Sequence, residues 1–386
     1  MYSRLFSELK GLSSLSGLDQ FNLLEIAHYV EDKHILDKKH SMQYYQDEEY
    51  STYVDQLAKD NYLKLCVDLN HWVGIKDVST LRNVYDLNLS DTHVTDVSAL
   101  GKIHTLNLSY TGVTDVSALG NVHTLNLRFT NVKDVSSLGN VHTLNLSYCS
   151  NIIDVSALGN VSTLVLSGCD GITDVSALGN VSTLVLSGCD GITDVSALEN
   201  VHTLNLSGCK GITDVSALGN VHTLTLRGCN GVKDVSALGN VHTLNLSGCK
   251  GITDVSALRN VHTLNLHDCK NITDVSALGN VHTLDLSYCQ GVTDVSTLNS
   301  VHTLDLSYCK GITDVSDLGN VHTLDLSHCV NITDVSALGN VNTLNLRGCN
   351  GVEDVSALGN VHTLDLRFCI NIKDISTLKS VRTLLL

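Results

Sequence analysis

From residue 64 onward the apolar positions fall in one order that recurs every nineteen or twenty residues. In residues 201–220, VHTLNLSGCKGITDVSALGN, they are Val201, Leu204, Leu206, Cys209, Ile212, Val215 and Leu218. Leu204 and Leu206 alternate with Thr203, Asn205 and Ser207, the period of a strand buried on one face. After Gly211 the interval becomes three residues, which predicts a turning segment or 3₁₀-like coil. Twenty residues leave no room for a long α-helix as well, so the return side is expected to be thin.

Aligned on Asp-Val-Ser (Asp-Ile-Ser in the last), the chain holds sixteen full copies. A degenerate copy occupies 64–83, and three nineteen-residue copies follow at 84–102, 103–121 and 122–140. Twelve twenty-residue copies run from 141 to 380, and a partial copy fills 381–386. One copy cannot fold alone, because ordering its backbone costs more than seven small apolar side chains return on burial. Neighbours must supply the missing hydrogen bonds and the second buried face, so the copies stack with their strands parallel.

The string LxxLxLxxC, here Val201, Leu204, Leu206 and Cys209, resembles the leucine-rich-repeat signature. LNLSGCKGITD resembles the cysteine-containing subclass common in F-box/leucine-rich-repeat proteins, and ITDVSAL is similar to the short repeats of internalin-type proteins. The copies are shorter than the cysteine-containing subclass and lack the usual internalin proline. The resemblance implies an α/β fold: a right-handed leucine-rich-repeat solenoid with one parallel sheet on the concave face and short 3₁₀ or coil returns. Residues 64–386 form that solenoid, and residues 1–63 are read as a helical N-terminal cap. Candidate helices lie at 18–32 and 47–63. Alternatively, LLEIAHYVEDKHIL (23–36) resembles a degenerate F-box without its Leu-Pro opening. That resemblance implies a substrate adaptor of a ubiquitin ligase.

Composition narrows the function. The chain is 43% apolar, has 4% aromatic residues and no proline, and carries a formal charge of −16. Such acidity opposes non-specific phosphate binding. No apolar run reaches membrane-spanning length, and the start does not read as a signal peptide. The thirteen cysteines are odd in number, and most are regularly spaced. They suggest a reducing, cytoplasmic setting rather than a disulfide framework. No cofactor, metal or enzymatic constellation is expected.

Three columns of residues look like chemistry. The cysteines from Cys149 to Cys369 recur every twenty residues and are read as buried thiols filling a corner, a slot that Thr92, Thr111 and Thr130 take in the shorter copies. The aspartates from Asp77 to Asp374 are read as turn caps accepting from backbone N–H groups. A calcium array does not fit, because the glycines and second carboxylate of such repeats are missing. Histidines at the strand entry, from His104 to His362, form a surface ladder that repels itself once protonated.

Partner contacts are placed on the exposed strand positions, the third, fifth, seventh and eighth of each copy. The eighth varies most. Candidate partner-binding residues are Tyr110, Phe129 and Tyr148 in one patch. A second patch holds Asp285, Tyr288, Asp305, Tyr308, Asp325 and His328, with Phe368 further on. The expected function is a non-enzymatic scaffold binding a protein partner through the concave face. A structural or self-assembling role is the further alternative, because the strand Val381 to Leu386 is predicted to offer an edge for self-association.

Overall fold

The computed structural model describes residues 28–30, 33–60 and 64–386. Most of the candidate helix 18–32 and the start of the F-box-like stretch 23–36 lie outside the described residues. The chain divides into two units, Met1–Cys149 and Ser150–Leu386.

In the first unit, strand β1 (His28–Val30) pairs antiparallel with β2 (Lys33–Ile35). This corrects the helix expected over 18–32, which would include 28–30. The reason is pairing: β2 also runs parallel to β3 (Lys64–Asp68), so the hairpin completes a sheet whose ladder outweighs local helical spacing. The described parts of 23–36 are therefore mainly strand.

Helices α1 (Lys38–Gln46) and α2 (Glu48–Asp60) connect β2 to β3. The second matches the candidate at 47–63, while the first has no counterpart in the sequence reading. Asp37 caps α1, its Oδ1 accepting from the His40 N–H at 2.9 Å. Both helices pack on β3. Tyr44 is fully buried, and its hydroxyl donates to Asp55. The other Asp55 oxygen accepts from Asn83 Nδ2 at 2.6 Å, which ties α2 to the first copy. Burial and the Asp55 carboxylate push the Tyr44 phenol far above its ordinary range. The two helices form the expected helical cap.

From Asp86 to Asn145 the first unit repeats three-residue strands, each parallel to the next and in register. In the second unit twelve such strands run from Thr163–Val165 to Thr383–Leu385. Thr203, Leu204 and Asn205, for example, stand opposite Thr223, Leu224 and Thr225. The fourth and sixth residues turn inward, so Leu204 and Leu206 are buried with Cys209, Ile212, Val215 and Leu218. Short 3₁₀ segments such as Ser216–Asn220 form the return side.

Candidate interaction surface

The aspartate column closes turns. In all sixteen full copies the Asp Oδ1 accepts from the N–H of the serine two residues on, as Asp214 does from Ser216 at 2.9 Å. Val215, not Asp214, is the residue flanking the 3₁₀ segment, so the aspartate organises the approach to the turn. The serine hydrogen bonds, backbone first, hold the Asp214 carboxyl below its usual range. A shallow hollow of about 260 Å³ between two such turns is lined by Thr333, Asp334, Ser336, Asp354, Ser356 and Ala357.

The cysteine column is internal. Cys229 Sγ–H donates to the carbonyl of Leu206 in the preceding copy at 3.1 Å. Threonine fills the same slot differently: Thr92 Oγ1 donates to Leu89 within its own copy at 2.7 Å. Burial pushes the Cys209 thiol up to about 11 and that of Cys229 to about 12. All thirteen cysteines are free thiols. Most are buried, and the burial that keeps thiols such as Cys209 and Cys229 protonated at neutral pH makes them poor nucleophiles.

The eighth position differs. Its backbone is left-handed in every copy, with Gly208 at φ +72° and the six glycines of the column all between +68° and +74°. Glycine occupies such a conformation freely. Yet Tyr110, Phe129, Tyr148, Tyr288, Tyr308, His328 and Phe368 occupy it at φ +57° to +63°. An L-residue there is strained by about 1–3 kcal/mol.

Those rings stack across neighbouring strands. Tyr110, Phe129 and Tyr148 form one row, with centroids 4.7 and 4.5 Å apart. Tyr288, Tyr308 and His328 form another at 4.4 Å spacing, and His267 meets Tyr288 edge-on. Phe368 stands apart from the second row, because Gly348 occupies the copy between. Gly348 also makes room for its neighbour, since a Cβ there would come within 2.7 Å of His328 Nδ1. Serines at the seventh position are buried in the tyrosine copies, as at Ser147 and Ser287; before glycine they are half-buried at Ser187 and Ser207 but buried at Ser247. The rings remain accessible: Tyr110 is 53% exposed and Phe368 63%.

Arginines complete two of these groups: Arg128 and Arg347 stand in the sequence as scattered cations, and the register between copies brings them onto rings about twenty residues further along the chain. Arg128 lies over Phe129 and Tyr148 at 5.0 and 5.2 Å, and Arg347 lies over Phe368 at 4.8 Å. Arg367 clasps Asp365 through Nε and a terminal nitrogen 2.6 Å from the carboxylate.

The fifth position also has a structural duty. Asn205 Oδ1 accepts from the Ser207 N–H at 2.9 Å, and Asp285, Asp305 and Asp325 make the same bond to their serines. The outer two aspartates use Oδ2 as well, accepting from Asn265 and Asn345 at 2.8 and 2.7 Å. Asp305 stands between two aspartates and has no such amide neighbour. Burial first, opposed by the bonds to Ser307 and reinforced by the flanking carboxylates, raises its pKa.

Chain segments 197–218 and 297–316 match a family model described as Leucine Rich repeat. Among solved structures, the functional domain of InlJ from Listeria monocytogenes, which includes a cysteine ladder, aligns over 81% of this chain and 74% of its own. The identity is 22% and the TM-score 0.54. The fold is that of a leucine-rich-repeat solenoid. Its cysteine-containing repeats are those expected from the sequence. A leucine-rich-repeat protein of Leptospira interrogans aligns over 82% of the solenoid chain and 92% of its own, at 17% identity and TM-score 0.49. The internalin InlF of Listeria monocytogenes aligns over 98% and 92%, at 21% and 0.43. A search of curated proteins gives no match.

The strand-entry histidines of the solenoid also form a row. His202, His222, His242, His262 and His282 stack at 4.7 Å, and His302 and His322 continue the row as tilted rings at 4.8 and 4.6 Å. Each Nδ1 in the ladder that bonds a threonine does so at 3.3 Å, as His222 does with Thr223. Among the described residues no group of three or more His, Cys, Asp or Glu is placed to hold a metal ion, and no helix is long and apolar enough to cross a membrane.

Proposed function

We propose that this protein is a non-enzymatic scaffold that binds a protein partner on the exposed strand-side face, with the eighth-position rings as anchors. One observation carries this reading: aromatic side chains occupy left-handed backbone positions that glycine fills freely in other copies, and they do so in stacked, accessible rows. Strain retained where a less costly residue is at hand points to use, and exposed aromatics are common interface anchors. Residues 1–63 serve as the cap, and the strands at 28–30 and 33–35 leave the F-box-like alternative without a helix over those residues. Free, donating thiols favour a reducing, cytoplasmic setting.

The test is affinity capture with the intact chain and with its eighth-position rings replaced by glycine. The reading expects partners lost from the glycine variant while its unfolding midpoint is preserved. Undiminished capture would overturn it.

Self-association is a second reading. Strand Thr383–Leu385 pairs on one side with Thr363–Asp365, and Ile370 and Leu386 nearby are 77% and 67% exposed. Apolar side chains exposed beside a strand offer a surface for association between copies of this chain. Light scattering across a concentration series should then show mass growth, lost on Leu385→Lys; constant mass counts against it.

A further inference from the structure

We propose that the row Tyr288, Tyr308 and His328, together with Asp285, Asp305 and Asp325 on the same three copies, is a docking strip for an extended, lysine- or arginine-rich segment of a partner protein. This rests on the scaffold reading above and adds the chemistry of the partner.

The molecule displays the same recognition internally. Wherever else an aromatic residue is joined at the eighth position by a cation, the cation comes from this chain and from the seventh position. Arg128 covers the rings of Phe129 and Tyr148. In copy 361–380 a fifth-position aspartate and an eighth-position ring occur together as Asp365 and Phe368, and both are supplied: Arg367 holds the carboxylate and Arg347 the ring. The three copies from 281 to 340 repeat the Asp-plus-ring arrangement but carry Ser287, Ser307 and Ser327 at the seventh position. Among the described residues no lysine or arginine forms an ion pair with Asp285, Asp305 or Asp325. The cation that the neighbouring arrangement provides from within is here left to come from outside.

The dimensions suit an extended chain laid across the strands. Three carboxylates on consecutive strands span about 9.5 Å, two strand spacings. Alternate side chains of an extended peptide lie about 6.7 Å apart, so two successive cations fall within the row. The aromatic faces beside the carboxylates attract the same groups. Asn265 and Asn345 satisfy the outer two carboxylates, which leaves Asp305 at the centre as the acceptor without an amide neighbour. The charge is also bounded, since Asn265 precedes the row and Arg347 follows it.

The fold supplies its own substitutions for the test. Asparagine already occupies the fifth position at Asn245, Asn265 and Asn345, and glycine the eighth at Gly208, Gly248 and Gly348. The full-length chain is titrated with fluorescent alternating Lys–Ser, Glu–Ser and Gln–Ser peptides, alongside a triple Asp285→Asn, Asp305→Asn, Asp325→Asn variant and a double Tyr288→Gly, Tyr308→Gly variant. The Lys–Ser peptide should bind at least about tenfold more tightly than the other two, an advantage of ~1.4 kcal/mol, and each variant should remove most of it. Equal binding of all three peptides, or Lys–Ser binding unchanged in the triple variant, would overturn the cationic partner. If the Gln–Ser peptide binds and only the glycine variant weakens it, the cationic partner is overturned and the scaffold reading stands. If no peptide binds, the cationic partner is likewise overturned, and the capture experiment decides the scaffold reading independently.

Discussion

The carbonyl oxygen of Leu206 accepts two hydrogen bonds from two different copies: the Cys209 N–H at 3.1 Å and the Cys229 Sγ–H at 3.1 Å. Cys209 and Cys229 thus each close their own turn through the backbone and fasten to the preceding copy through the side chain. Replacing Cys229 with alanine removes the inter-copy bond and opens a small void. The expected loss is about 1–2 kcal/mol, read as a lower urea midpoint. A neutral outcome would show that the thiol is filler only.

The same burial predicts chemical silence. Thiols buried and held above their ordinary pKa do not react with iodoacetamide at neutral pH until the chain unfolds. Cys369, which is only half-buried, should be modified first. Mass spectrometry after timed labelling reads the order, and early modification of Cys229 would contradict it.

Acid stability follows from the aspartate turns. The folded carboxyls of Asp194, Asp214 and Asp234 lie below their ordinary range through bonds to Ser196, Ser216 and Ser236. A carboxyl depressed by folding contributes stability that is present above its unfolded pKa, about 3.9, and is lost as pH falls through the folded value. Urea midpoints should therefore drop below about pH 4. Asp214→Asn keeps an acceptor that does not titrate, so the variant should lose less stability than the parent over that interval. Identical acid profiles for the two proteins would refute the assignment.

The histidine ladder gives a second pH signature. Burial first, and then the charges of His262 and His302, lower the His282 pKa. A base depressed on folding favours the folded state above its unfolded pKa, near 6.5, and this contribution fades as pH falls through the folded value. Serine stands in this column at Ser162 and Ser182, so His262→Ser with His302→Ser is compatible with the fold. In a proton NMR titration the double change should raise the His282 midpoint. A midpoint that does not move would assign the shift to burial alone.

Strain at the eighth position can be weighed directly. Gly208→Ala, at φ +72°, should destabilise by about 1 kcal/mol. Tyr308→Gly relieves strain of similar size and forfeits ring stacking worth about 0.5–1.5 kcal/mol, so its net effect on the unfolding midpoint should be small. A loss above about 2 kcal/mol would mean that the ring belongs to the packing, not to a surface kept for binding.

Most of the solenoid was legible because each copy repeats one local argument. Leu204 and Leu206 announce a strand face, Asp214 a turn and Cys209 a corner, and the structure places each accordingly. The first 63 residues carried no repetition to average over, and there the reading partly failed. His28–Val30 looked helical by spacing but pairs with Lys33–Ile35, a tertiary choice invisible to local pattern. The variable eighth letter was visible in the sequence. Its left-handed backbone was not, nor was the reach of Arg128 and Arg347 over neighbouring rings, because both depend on the register between copies.

That left-handed slot separates recognition from folding. The core is closed by the inward leucines and by Cys209 whether the preceding residue is Gly208, as here, or a tyrosine, as at Tyr308. Distant copies should then accept new eighth letters with nearly additive effects. The lineage has in hand a keyboard on which contact residues can be retyped copy by copy while the frame that holds them stays untouched.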